Sequence, residues 1–104
     1  QAMNTGHDGS MTTLHANGCA DAIYRMELLA GFAGFNGSEV TLRGQLVSAL
    51  DLMVHVSRLP SGERRLLSIE QVVGLKGGAI VLKDLFRYDF AAGIYQDLRE
   101  EEIA

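Results

Sequence analysis

Apolar residues recur at three- and four-residue intervals up to Leu50 and at every second position from Leu52 onward. A helix brings a face round every 3.6 residues and a strand every two, so the chain must change element type at Asp51. Upstream of that point, Ala22, Ile23, Met26, Leu29, Ala30 and Ala33 predict an amphipathic helix over 19–33 whose Met and Leu stripe is core. Asp21 falls in its first turn, where the helix dipole favours an anion, and Asn17 is placed to cap it. The Gly34 to Gly37 stretch breaks this helix. Ser38 then caps a shorter one carrying Val40, Leu42, Leu46, Val47, Ala49 and Leu50.

Downstream, Leu52, Val54 and Val56 alternate with Met53, His55 and Ser57, the pattern of a strand. Leu59-Pro60-Ser61-Gly62-Glu63 is turn chemistry, and 64–73 reads as the return strand, with Leu67, Ile69, Gln71 and Val73 on one side. Gly77-Gly78 turns the chain again, into a third strand over 79–88; from Ala91 on we expect a polar, frayed tail. Ahead of the first helix, 11–16 (MTTLHA) is short, aperiodic and bounded by Gly9-Ser10 and Asn17-Gly18, which predicts a buried strand. Gln1 to Thr5 reads as the last turn of a helix stopped by Gly6, and His7 to Ser10 as a polar turn.

Composition sets limits on function. A chain of 104 residues supports one domain, and 47% apolar with 21% charged residues places it among folded globular chains. A net charge of -4, concentrated at Asp97, Glu100, Glu101 and Glu102, argues against nucleic acid as a partner. The single Cys19 excludes an internal disulfide and a Cys-rich zinc site, as suits a reducing compartment. No apolar run reaches the roughly 18 residues of a membrane span, and we expect a cytoplasmic protein. The opening Gln1-Ala2-Met3-Asn4 runs straight into dense motif-like sequence, so we read the chain as a piece of a longer protein.

The densest cluster of chemistry-bearing residues is Thr5-Gly6-His7-Asp8-Gly9-Ser10-Met11-Thr12-Thr13-Leu14-His15-Ala16-Asn17. One imidazole stands at a turn and a second eight residues on. Imidazoles donate hydrogen bonds to anionic oxygens, and the N–H groups around Gly6 and Gly9 would add to them, which suits a phosphate. As residue types alone these are weak evidence, because most histidines in turns and at strand ends are simply solvated or bonded to backbone.

The segment QAMNTGHDGSMTTLHAN resembles the His box of the type II/IV secretion ATPases, in particular the CpaF-type enzymes of tight-adherence (Flp) pili. RGQLVSALDLMVHVSRLPSGERR resembles the helix, strand and basic hairpin of that family, and the stretches around Val72-Val73-Gly74 and Asp84-Leu85-Phe86-Arg87 its closing strands. The resemblance covers about residues 1–90, leaving 91–104 as an acidic tail, and one departure is Gly18-Cys19-Ala20 where the family commonly starts its helix with a proline. It implies an α/β fold: the C-terminal portion of a RecA-like P-loop ATPase domain, two helices with a mixed sheet ending in an antiparallel meander. It further implies a hexameric ring at the cytoplasmic face of the inner membrane, working with inner-membrane platform proteins on ATP and Mg2+. By position, His7 and His15 would be the box histidines at the phosphates, with Gly6 beside them. Arg25 and Arg43 would be candidates to face a neighbouring subunit, or else are exposed or locally paired.

No GxxxxGK[ST] occurs in the chain, and the acidic metal-binding strand is missing too, so this piece alone should bind no ATP or Mg2+ and hydrolyse none. The competing expectation is a non-catalytic interaction module on the same scaffold. Other residues stay open between two readings. Cys19 is either a thiol activated by a helix N-terminus or a small apolar residue in a tight place. His7, Asp8, His15 and Cys19 include zinc-ligand types, but their spacing matches no closed site, so we expect no metal. His55 reads as a half-buried side chain bonded to a neighbour. Arg58, Arg64 and Arg65 form either a solvated hairpin tip or a basic patch for a membrane surface or acidic partner. A sheet with an unpaired edge associates readily, so the isolated chain is expected to self-associate; a monomer in sedimentation at high concentration would refute this.

Overall fold

The computed structural model describes residues 12–99. Its elements run α1 (Cys19–Phe32), α2 (Glu39–Ala49), β1 (Leu52–Arg58), β2 (Arg64–Lys76), β3 (Ala79–Asp89) and β4 (Ile94–Asp97). The four strands form one sheet in the order β1-β2-β3-β4, with every neighbouring pair antiparallel. The expected mixed sheet is thus corrected: among the described residues it is a pure meander, in which each strand folds back on the last through a short turn.

Both helices are bounded by local chemistry. α1 starts at Gly18, which offers no side-chain cap. Asn17 does not cap it as expected; instead the Asn17 amide N–H donates to Asp21 Oδ2 at 2.9 Å, and Arg25 Nε donates to the same oxygen at 2.9 Å. Asp21 reaches back from the first turn much as the acid of a capping box does. At the other end Gly34 takes a φ of 94°, and the N–H of Phe35 bonds the carbonyl of Ala30 at 3.0 Å, a Schellman stop that a left-handed residue permits. Ser38 caps α2 as expected, its Oγ accepting from the Thr41 N–H at 3.1 Å.

The turn between β2 and β3 is closed by the Lys76–Ala79 pair around Gly77 and Gly78, whose φ angles of 61° and 83° fit a type I′ hairpin. The tail expected from Ala91 on is corrected over its described part, because Asp89 turns the chain back into β4. The Asp89 carboxylate accepts from the N–H groups of Ala91 and Ala92, and its carbonyl from Gly93, which has a φ of 70°. Tyr88 stacks edge-on against Phe90 and Tyr95, and the Tyr95 hydroxyl donates to the Leu66 carbonyl at 2.9 Å, two strands away. The expected strand at 11–16 is absent over 12–16: no strand lies alongside that run among the described residues, so there is no ladder to join.

Alternation along β1 identifies the covered face. Met53, His55 and Ser57 are half-buried, whereas Leu52, Val54 and Val56 are 55%, 54% and 53% exposed, so the helices lie against the less apolar side. Along β2 the expected shared side of Leu67, Ile69, Gln71 and Val73 is kept by Ile69 and Gln71 and interrupted at its two ends. The ladder skips Leu67 opposite β1 and Val73 opposite β3, and each bulge resets which side the next residues face. The residues of β2 that end up buried are Ser68 and Val72.

The core is thin. Cys19, Ile23, Leu50 and Val72 are the buried apolar residues among those described, while Leu29 of the predicted core stripe is half exposed. Polar contacts therefore carry much of the docking of the helices. Arg43 of α2 bonds Glu27 of α1 through Nε (3.0 Å) and Nη2 (3.2 Å), and the Gly78 carbonyl through Nη1 (3.2 Å). Arg43→Ala should lower the thermal midpoint by several degrees, and Arg43→Lys should not restore it, because an ammonium cannot make the planar two-point contact. An unchanged midpoint in a thermal melt would refute the clamp.

Candidate functional site

A cleft of about 650 Å³ opens between the first turn of α1 and the sheet. Gly18, Cys19 and Asp21 border it from the helix; His55, Glu70 and Arg87 border it from three successive strands. Strand pairing assembles the sheet side, since His55 stands opposite Ser68 and Ser68 opposite Arg87. Ser68 is 1% exposed, the most buried polar residue described, and its hydroxyl donates to Glu70 Oε2 at 3.2 Å. Arg87 Nη2 lies 3.6 Å from the same carboxylate oxygen and 2.8 Å from Asp84 Oδ1. The guanidinium is thus held between two acids, and its pKa is raised, chiefly by the Asp84 hydrogen bond.

Cys19 settles between its two readings on burial. Its thiol is pushed up to about 12, first by burial and then by its hydrogen bond to Glu70, with the charge of that carboxylate adding to both. Ser68 and Arg87 pull in the other direction but less strongly. The thiol is therefore protonated at neutral pH, so it is a small buried group and not a nucleophile.

The other expected site residues are scattered. Gly6, His7 and Asp8 lie outside the described residues. His15 is exposed, in the irregular run that leads into α1, two residues before Asn17. Arg25 is bound to Asp21 one helical turn away, and Arg43 to Glu27; both are locally paired, and neither approaches the sheet side of the cleft. His55 is half-buried as expected, but it makes no hydrogen bond among the described residues and borders the cleft instead. Arg58 and Arg64 stand directly opposite each other across β1 and β2, and Arg65 lies 4.7 Å above the Tyr88 ring. No group of three His, Cys, Asp or Glu among the described residues is arranged to hold a metal ion.

Sequence reasoning missed Ser68, Glu70 and Arg87. The available signal was Ser68 and Glu70 alternating with Leu67, Ile69 and other apolar residues of the return strand. Their convergence on Arg87 and Cys19 depends on pairing and bulges that no local pattern carries.

Comparison with known proteins places this geometry in context. The sequence model of the family described as "Type II/IV secretion system protein" matches residues 1–82. A "Putative conjugal transfer protein" of Mycobacterium tuberculosis is 40% identical over 68 residues, 65% of this chain and 19% of the relative. A "Probable conjugal transfer protein TrbB" of Sinorhizobium fredii is 32% identical over 101 residues, 97% of this chain and 27% of the relative. "Conjugal transfer protein TrbB" of Rhizobium radiobacter is 32% identical over 77 residues, 74% of this chain and 21% of the relative. The chain thus spans about a fifth to a quarter of the length of these curated relatives.

The raised thiol pKa gives a test with a definite sign. Because the folded value lies above the unfolded one, the stabilisation is complete below about pH 9 and is lost as the pH rises toward 12. At pH 8 Cys19 should react with an alkylating reagent about a thousandfold more slowly than an exposed thiol, through thiolate fraction alone. The denaturant midpoint should fall above pH 9 in the parent sequence and stay flatter in Cys19→Ala. Rapid alkylation of the folded protein at pH 8 would refute the assignment.

Proposed function

Because the chain belongs to the type II/IV secretion system protein family, we propose that it is the C-terminal portion of the motor domain of a secretion-type ATPase. In the full-length protein this domain would be RecA-like and hexameric, and would couple ATP hydrolysis to pilus biogenesis or protein export at the cytoplasmic face of the inner membrane. The CpaF-like subtype rests on the TGHDGS, LHAN and ALDLMVHVSRL blocks. The names of the TrbB relatives favour conjugal transfer as the setting. Inner-membrane platform proteins would be the partners, and nucleic acid would not be bound by this part of the chain.

The observation that carries the reading is the extent of the family match. It begins at residue 1, includes both His7 and His15, and runs through both helices into β3. In this reading the imidazoles of His7 and His15 and the amide of Gly6 donate to phosphate oxygens of ATP, so that loss of the terminal phosphate changes what the segment binds. The run carrying His15 continues into α1, so its position is coupled to the helix and, through the cleft, to the sheet. Mg2+ accompanies ATP in phosphoryl transfer and would neutralise charge on the phosphates. The described residues offer it no ligand set. The chain by itself, lacking a P-loop, is proposed to be inactive.

A non-catalytic interaction module is the second reading, favoured by the exposed Leu52, Val54 and Val56 on an edge strand. An in-frame GxxxxGK[ST] upstream of Gln1 in the coding DNA would support the motor and count against the module.

In the full-length protein, His7→Ala and His15→Ala should each cut ATP turnover by about tenfold or more, the scale of losing one hydrogen bond to a charged group. Circular dichroism should be unchanged. Turnover equal to the unsubstituted protein in both variants would sink the phosphate role.

A further inference from the structure

β1 lies at one edge of the sheet and pairs only with β2 among the described residues, so one row of its N–H and C=O groups meets no partner there. Its open face carries the exposed row Leu52, Val54 and Val56. The two ends of the strand bear opposite charges. Asp51 is held at its head, where the Asp51 carbonyl accepts from the Val72 N–H at 2.9 Å, and Arg58 closes it. Both side chains are exposed, neither has a hydrogen bond or ion pair among the described residues, and Arg58 stands opposite a like charge at Arg64. From 51 to 58, at about 3.4 Å per residue, the two charges are roughly 24 Å apart along the strand.

A strand with an acid at one end and a base at the other is complementary to itself when it runs antiparallel. We propose that two copies of this chain join through β1, antiparallel about a two-fold axis at His55, so that their four-stranded sheets become one. Val54 of each copy then lies beside Val56 of the other, and Arg58 lies opposite Leu52 of the other copy, one residue from its Asp51. The apolar rows become cross-strand neighbours, both free edges are closed, and each Arg58–Arg64 pair gains an acid. Apolar contact alone fixes no register; the charges at the two ends select this one. The opposite edge of the sheet offers no such match. β4 is four residues long, its Asp97 is already bonded to Arg99, and β1 approaching it antiparallel would bring Asp51 to the Asp97 end, acid against acid. This pairing does not depend on the motor reading.

The experiment is sedimentation of the full 104-residue chain as the parent, as Asp51→Arg, as Arg58→Asp, and as an equimolar mixture of the two variants. The parent should form a dimer. Each variant alone should dissociate about tenfold more readily, because both contacts across the axis become like-charge pairs. Mixing should restore the dimer to within about threefold of the parent, since every contact across the axis then joins an arginine to an aspartate. A single chain carrying both Asp51→Arg and Arg58→Asp should pair with itself for the same reason.

A parent that stays monomeric, variants that associate as the parent does, or a mixture that stays dissociated would each overturn the proposal. So would association of the parent into larger species that respond to neither substitution, which is the behaviour of an apolar row without a register. Circular dichroism checks the fold of each variant. Should a charge reversal fail to fold, Asp51→Asn and Arg58→Gln decide it instead: each should weaken the dimer about threefold, and neither should recover on mixing.

Discussion

Arg43 joins three parts of the chain that little apolar surface joins. Its guanidinium meets both carboxylate oxygens of Glu27 on α1 while it belongs to α2, and its remaining edge reaches the Gly78 carbonyl at the tip of the β2–β3 hairpin. With only Cys19, Ile23, Leu50 and Val72 buried among the apolar residues described, the helices have no deep core to settle into. Directional contacts must then set their place, and a planar fork with five donors specifies an angle where a greasy contact would not. Raised arginine pKa values at Arg43 and Arg87 have the same cause, a hydrogen-bonded acid alongside, but the two serve opposite ends of the sheet.

The exposed side of the sheet reflects the same thin packing. β1 is an edge strand with Leu52, Val54 and Val56 turned outward, and Arg58 closes the row directly opposite Arg64. Apolar side chains on an open face and like charges opposed across a ladder are both unfavourable in isolation. Each is relieved when another surface, apolar with an acid at its margin, lies against the strand. The self-association expected of the isolated chain is the least specific way of meeting that demand.

The sequence made local features legible and left the face assignments hidden. Ser38 as a cap, the break at Gly34, the Gly77-Gly78 turn and the change of period at Asp51 are short-range chemistry, and the structure places all four as read. The side of β2 that packs was not readable, because bulges at Leu67 and Val73 shift the alternation and nothing local marks either one. β4 was missed for a different reason: Ile94-Tyr95-Gln96-Asp97 is short, largely exposed and has little alternation of its own. In the site, the histidine cluster was legible as residue types, whereas the Ser68, Glu70, Arg87 and Cys19 cluster exists only through pairing.

Cys19 shows how magnitudes decide between two sound local arguments. A thiol at a helix N-terminus is stabilised as thiolate by the dipole, an effect on the order of 0.3–1 kcal/mol at an exposed position. Burial and an adjacent carboxylate both oppose ionisation, and a thiol held at about 12 has had the dipole overcome with room to spare. Burial and that carboxylate thus act together to keep the thiol uncharged. A serine there would be more strongly hydrated; the weakly polar thiol loses less on entering a tight place, which suits a residue that is 5% exposed.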